Sequence, residues 1–241
     1  VEPRGLPRAG LPGQRGPAAN QIEKYGAAAT LDGESLTRIG GTPLKVETAE
    51  FVRSAHQSGD FLRDGRPEIA FAGRSNVGKS SLLNRILGRK GLARVGSTPG
   101  RTRAVNYFLI NGRCYFVDLP GYGWARAGRK ERREWAEVVN GYLRQALPQA
   151  QLVMLVDGEV GATPLDRQAY EYLSSLGAKI AVAATKIDRV SRGRRAAALR
   201  GVGAALGLGE ATPLIPVSAH SGEGMKELWS VIDLHLESSA R

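Results

Sequence analysis

The stretch Glu68–Leu83 constrains this chain more tightly than any other: Glu-Ile-Ala-Phe-Ala, then Gly-Arg-Ser-Asn-Val-Gly-Lys-Ser, then Ser-Leu-Leu. It reads as a short apolar strand, a loop bounded by Gly73 and Gly78, and a helix beginning near Lys79. The loop fits G-x-x-x-x-G-K-[ST] in the strand–loop–helix setting that the pattern requires. Gly73 and Gly78 let the backbone bend so that N–H groups along Arg74, Ser75, Asn76 and Val77 point inward at phosphate oxygens. The positive end of the following helix adds to the same spot. Lys79 brings a full charge to the phosphates, and the Ser80 hydroxyl is placed to ligate Mg²⁺.

Alternation along the rest of the chain supplies the frame. Strand patterns fall at Ala49–Ala55, Glu68–Ala72, Asn106–Ile110, Arg113–Asp118, Leu152–Asp157, Lys179–Ala184 and Leu214–Val217. Amphipathic patterns predict helices over Ser80–Leu87, Arg129–Ala146, Pro164–Leu176 (N-capped by Thr163), Arg189–Leu206 and a last stretch from Met225 to Leu236. Asn111-Gly112 marks one hairpin. Strands otherwise alternate with helices, which predicts an α/β fold with a mostly parallel central sheet flanked by helices. Ligand loops in such sheets lie at the carboxyl ends of strands, where the phosphate loop, Asp118, Thr185 and Ser218 all fall.

Residues 1–42, rich in Pro, Gly and Ala without periodicity, are expected to be a disordered tail ahead of a single domain over 43–241. Val1 in place of Met points to an alternative start codon or a trimmed chain. A net charge of +11 favours a polyanionic partner. One cysteine, Cys114, excludes an intrachain disulfide, and His56, His220 and His235 show no ligand spacing. No apolar run reaches membrane-span length and no signal peptide opens the sequence, so the expected setting is cytoplasmic, without a membrane partner.

Two further loops carry chemistry. Asp118-Leu119-Pro120-Gly121 places a carboxylate that can hold Mg²⁺ through water, and a glycine N–H that can sense a terminal phosphate. Thr185-Lys186-Ile187-Asp188 can choose a base. A carboxylate accepts from both N1–H and the exocyclic amine of guanine, whereas adenine offers no such pair, so an ATP-specific protein is disfavoured. The Lys186 stem can lie over the purine, and Val217-Ser218-Ala219 can offer a backbone N–H to the guanine oxygen. Each motif alone is ordinary turn chemistry. Their order after Gly73–Ser80 gives them weight.

Together these segments resemble the G motifs of translation-factor-related GTPases. More narrowly, with Thr98-Pro99-Gly100-Arg101-Thr102, Asn106-Tyr107-Phe108 and the run from Asp118 to Gly123, they resemble the EngB/YsxC/YihA family. Thr185, where most GTPases have Asn, fits that family. The resemblance spans about Lys45 to Leu236. It implies a P-loop NTPase of Ras-like G-domain fold that binds GTP and GDP with Mg²⁺. It also implies a role in assembling the large ribosomal subunit, with ribosomal RNA or a precursor particle as partner, and a link to cell division and septation. Gly100, Arg101, Thr102, Arg103 and Ala104 would form switch I. Thr102 would join Ser80 at the metal, with Thr98 a rival in the same loop.

Tyr122 stands where Ras-like proteins place a water-orienting Gln, so slow intrinsic hydrolysis is expected from Lys79 and Thr102. Asn76 occupies the position that holds a monovalent cation in potassium-activated relatives, making K⁺ a candidate cofactor. Arginines and lysines gather beside switch I (Arg85, Arg89, Lys90, Arg94, Arg101, Arg103) and switch II (Arg126, Arg129, Lys130, Arg132, Arg133). A third group is Arg189, Arg192, Arg194, Arg195 and Arg200. Basic residues near nucleotide-sensing loops would let GTP control contact with RNA phosphates. The expected protein is a monomer. Two other roles fit the same motifs: a GTPase of tRNA modification or signalling, and a nucleotide-gated RNA-binding module with incidental hydrolysis.

Overall fold

The computed structural model of the chain describes residues 45–93, 104–123, 129–147 and 150–239, with side chains omitted for 129–135. Strand β2 (Glu68–Gly73) forms because alternate residues face opposite layers of core. Ile69 and Phe71 enter one cluster, and Ala70 and Ala72 the other. Around it stand β1 (Ala49–Ala55), β3 (Val105–Ile110), β4 (Cys114–Asp118), β5 (Gln151–Asp157), β6 (Lys179–Thr185) and β7 (Leu214–Pro216). The sheet order is β1-β3-β4-β2-β5-β6-β7. β1–β3 and β3–β4 are antiparallel and the other pairs parallel. β2 and β5 are central and buried on both faces, which explains their uninterrupted apolar character.

The helices are α1 (Lys79–Ile86), α2 (Arg129–Ala146), α3 (Pro164–Ser175), α4 (Arg192–Leu206) and α5 (Met225–Ser239). Tyr142, Leu143, Leu173, Val202 and Leu206 from α2–α4 pack on one face of the sheet. Leu82, Leu83, Ile86, Leu228 and Ile232 from α1 and α5 pack on the other. Fully burying an aliphatic or aromatic side chain is worth about 1.5–3 kcal/mol, so these two layers dominate stability. Tyr142, Tyr107 and Phe61 meet edge to face in the first layer.

The expected elements are all present among the described residues, with shifted ends. In the hairpin, Asn111 and Gly112 both have positive φ, at 50° and 66°, and Arg113 N–H donates to the Ile110 carbonyl. Ile110 nonetheless pairs with Cys114, so Arg113 belongs to the loop and not to the strand. The Asn111 side chain accepts from the N–H groups of Glu47 and Thr48 and donates to Lys45, tying the hairpin to the chain entering β1. The helix expected from Arg189 begins at Arg192. Ile187–Arg189 instead make a 3₁₀ turn that starts at Lys186, whose φ of 56° no continuous helix accommodates. Thr163 caps α3 as expected, accepting from Asp166 N–H while the Asp166 carboxylate accepts from Thr163 N–H. The expected tail, 1–42, lies outside the described residues.

Candidate functional site

The parallel strands set the site by aligning their carboxyl ends. β2 ends at Gly73, β4 at Asp118, β6 at Thr185, and Ser218 follows β7 by two residues. Between β2 and α1 the chain turns through Asn76 (φ 65°) and Gly78 (φ 101°). A side chain at Gly78 would have room, so its glycine is demanded by the backbone alone. At Gly73 the limit is space: a Cβ would lie 2.9 Å from Val77 Cγ1 and 3.1 Å from Leu155 Cβ. Gly78 caps α1 without a side-chain hydrogen bond, which leaves the first-turn N–H groups of Lys79, Ser80 and Ser81 facing the loop's hollow. Such a cradle suits phosphate oxygens.

Asp118 enters that cradle from β4. Its carboxylate, 6% exposed, receives the Lys79 ammonium in an ion pair. After Asp118 the chain runs across the phosphate loop. Ser75 N–H donates to Tyr122 O at 3.0 Å, and Tyr122 N–H to Gly73 O at 3.3 Å. A Cβ on Gly121 would stand 3.2 Å from Ser75 Oγ and 3.3 Å from Ser75 N, so the two segments cross closely here. Leu119 is buried and Pro120 lies between them. Tyr122 is half-buried, with its hydroxyl donating to Asp166 Oδ1 at 2.9 Å. Burial and the Asp166 carboxylate push its phenol well above the ordinary range. The Tyr122 side chain is therefore committed to the start of α3.

The base loop is bolted to the phosphate loop. Thr185, 3% exposed, donates its hydroxyl to Val77 O at 2.7 Å and lies 3.2 Å from Val156 O. Lys186 donates to Asn76 O at 3.1 Å and to Asp157 Oδ2 at 2.7 Å. Asp157 also accepts from Glu159 and Val160 N–H at 3.0 and 3.1 Å. Burial pushes the Asp157 carboxyl up, but the Lys186 ammonium and these N–H groups outweigh it and hold the group below its usual range. Ile187 is fully buried and donates to Val217 O, which fixes the turn that turns Asp188 outward. The Ser218 hydroxyl hydrogen-bonds Asp188 and is the chief reason its carboxyl is held below the usual range.

A cavity of about 340 Å³ lies among Gly78, Ser81, Leu82, Thr185, Lys186, Asp188, Arg189, Ala219 and His220. Three of the four loops predicted to converge line this one space, and the fourth meets the phosphate loop through the Asp118–Lys79 pair. The cavity lining combines the apolar Leu82, Lys186, the Asp188 carboxylate and Ala219. That set fits a purine with two donors on one edge. Ser80 and Asp118 are hard oxygen donors of the kind Mg²⁺ takes beside phosphates. Among the described residues no cluster of three His, Cys, Asp or Glu exists, so a metal here would rely on phosphate ligands as well.

Several expected residues are not brought together here. Thr98, Gly100, Arg101, Thr102 and Arg103 lie outside the described residues, and Ala104 is buried just ahead of β3. Arg126 also lies outside them. Sequence reasoning gave Asp157 and His220 no part in this site and read Arg189 only as one of a basic group. An acidic residue ending the apolar β5 run was a usable signal for the first.

Residues 68–186 match a family model described as 50S ribosome-binding GTPase. A protein of Pelotomaculum thermopropionicum named "Probable GTP-binding protein EngB" is 46% identical over 198 residues, covering 82% of this chain and all of that one. The chain belongs to the EngB family. It is accordingly a GTPase. The EngB protein of Geobacillus kaustophilus is 42% identical over 191 residues, 78% of this chain and 97% of its own. A crystal structure of an EngB protein superposes with a TM-score of 0.60 at 24% identity, covering 71% of this chain and 99% of that one. Era, solved with MgGDPNP and nucleotides 1506–1542 of 16S ribosomal RNA, gives 0.57 at 24% identity, over 70% of this chain and 57% of its own. Both show the same P-loop NTPase fold. No helix among the described residues is long and apolar enough to cross a membrane.

Proposed function

We propose that this EngB-family GTPase requires Mg²⁺, turns over slowly by itself, and acts as a GTP-controlled assembly factor for the large ribosomal subunit. One observation carries the reading. The phosphate loop, Asp118–Gly121 and Thr185-Lys186 all fall within residues 68–186, which match a family described by 50S ribosome binding. The net charge of +11 suits the phosphate backbone of ribosomal RNA in a precursor particle, met by a monomer in the cytoplasm.

Slow turnover follows from Tyr122, which has no amide and whose hydroxyl is held by Asp166. Lys79, at the cradle, and Thr102 would supply the protein's own contribution, with Ser80, Thr102 and, through water, Asp118 holding Mg²⁺. Mg²⁺ supplies neutralisation of charge on the β- and γ-phosphate oxygens. Asn76, exposed at the mouth of the loop, would hold K⁺, so hydrolysis should run faster in potassium than in sodium buffer. Equal rates in the two would remove K⁺ from the account.

Sedimentation with large-subunit precursor particles tests the partner. Binding should be strong with a non-hydrolysable GTP analogue, weak with GDP, and lost at high salt. Equal binding in both states, or none in either, contradicts the proposal.

A further inference from the structure

Helix α4 carries charge that neither the nucleotide site nor the core uses. From Arg189 to Gly209 the chain has five arginines and no acidic residue. Arg189 pairs with Glu159 at 3.3 Å, and Arg195 pairs with Glu223. Arg192, Arg194 and Arg200 are exposed and have no carboxylate partner among the described residues. Leu199, Val202 and Leu206 turn α4 into the core. Helical spacing then puts Gly193, Ala197, Gly201 and Ala204 along the outward crest, with Arg194 on one flank and Arg200 on the other.

Two local rules are broken on this helix. Its first turn holds Arg192, Arg194 and Arg195 and no acidic residue, against the macrodipole. Its crest holds glycines although a Cβ at Gly193 or Gly201 would meet nothing within 4 Å, so packing inside the chain does not ask for them. Departures of this kind without an internal return are expected at functional surfaces.

We infer that the outer face of α4 docks on the phosphate backbone of RNA as an anchor that does not depend on the bound nucleotide. A bare crest lets a sugar–phosphate strand approach closely while arginines on both flanks reach its oxygens with their planar forks. The crest has no large apolar side chain to enter a bilayer, which disfavours a membrane surface. It has no aromatic ring to stack on unpaired bases, so contact is with backbone and duplex shape. α4 packs on α3 and β7, at the opposite edge of the sheet from β3 and β4. The inference rests on the ribosomal RNA partner proposed above.

The test is a triple variant, R192Q/R194Q/R200Q, in the full chain, with binding to large-subunit precursor particles measured against salt in GDP and in the GTP analogue. Each phosphate contact contributes ~0.9 to the slope of log K against log salt, so loss of three should flatten it by about 2.7. Over a fourfold rise in salt the wild type should then lose ~40-fold more affinity than the variant. The flattening should be equal in both nucleotide states, and nucleotide affinity should be unchanged. The triple lysine variant should keep most of the slope. An unchanged slope overturns the α4 anchor while leaving the partner intact. A wild type that binds no particle in either state overturns the partner and the anchor with it. Flattening confined to the GTP state, or wild-type binding to phosphatidylglycerol vesicles that the variant abolishes, also overturns it.

Discussion

Asp157→Asn separates the charge at the end of β5 from its shape. The carboxylate is 4% exposed and holds Lys186 Nζ at 2.7 Å, while an asparagine oxygen can still accept from Glu159 and Val160 N–H. A hydrogen bond to a charged group contributes about 1.5–3 kcal/mol. The Lys186 side chain is 26% exposed and also bonds Asn76 O, so water and that carbonyl recover part of the loss. The lower end, about 1.5 kcal/mol, is therefore expected, which corresponds to roughly tenfold in affinity. Lys186 lines the cavity proposed to take the base, so the loss should appear as faster release of a fluorescent GDP. Turnover at saturating GTP should stay within about twofold, because Lys79 and Asp118 are untouched. A double cycle with Lys186→Ala should show that the two effects do not add. If Asp157→Asn leaves GDP release unchanged while Lys186→Ala accelerates it more than about tenfold, the ion pair does not position the lysine and the reasoning fails.

Asp188→Asn should weaken GTP binding by about 3 kcal/mol, because two charge-assisted hydrogen bonds to guanine lose their ionised acceptor. An unchanged GTP affinity in isothermal titration would place the base elsewhere. Glu68 offers a pH prediction away from the site. Burial pushes its carboxyl up to about 7 from 4.5, the Tyr142 hydroxyl at 2.7 Å offsets part of this, and Asp64 adds to it. A carboxyl raised in the native state contributes its stability below about pH 4.5, and that contribution is lost as pH rises through about 7. The span corresponds to about 3 kcal/mol. Urea unfolding should show that loss in the wild type and a flatter profile in Glu68→Gln; parallel profiles would refute it.

What could be read in advance was local chemistry. The phosphate loop, the Asn111-Gly112 turn and the Thr163 cap are each set by residues within a few positions, so their patterns carry over to the fold. Element ends were less legible. The start of α4 moved from Arg189 to Arg192 because Lys186 adopts positive φ to serve the base loop, and nothing in helical periodicity reports that. Long-range bonds were illegible. Thr185 reaches Val77 across 108 positions and Lys186 reaches Asn76 across 110, so the bolting of one loop to the other emerges only once the sheet sets its strands side by side. Tyr122 was read correctly as lacking the amide, but its bond to Asp166 depends on where α3 starts.

Competition of unlabelled GDP and ADP for a fluorescent GDP analogue bears most directly on the proposal that Lys79 and Asp188 hold the two ends of one guanine nucleotide. GDP should displace the analogue, and ADP should fail even at about a thousandfold excess, since adenine leaves the Asp188 carboxylate without its paired donors. Displacement by ADP at concentrations comparable to GDP would contradict the site.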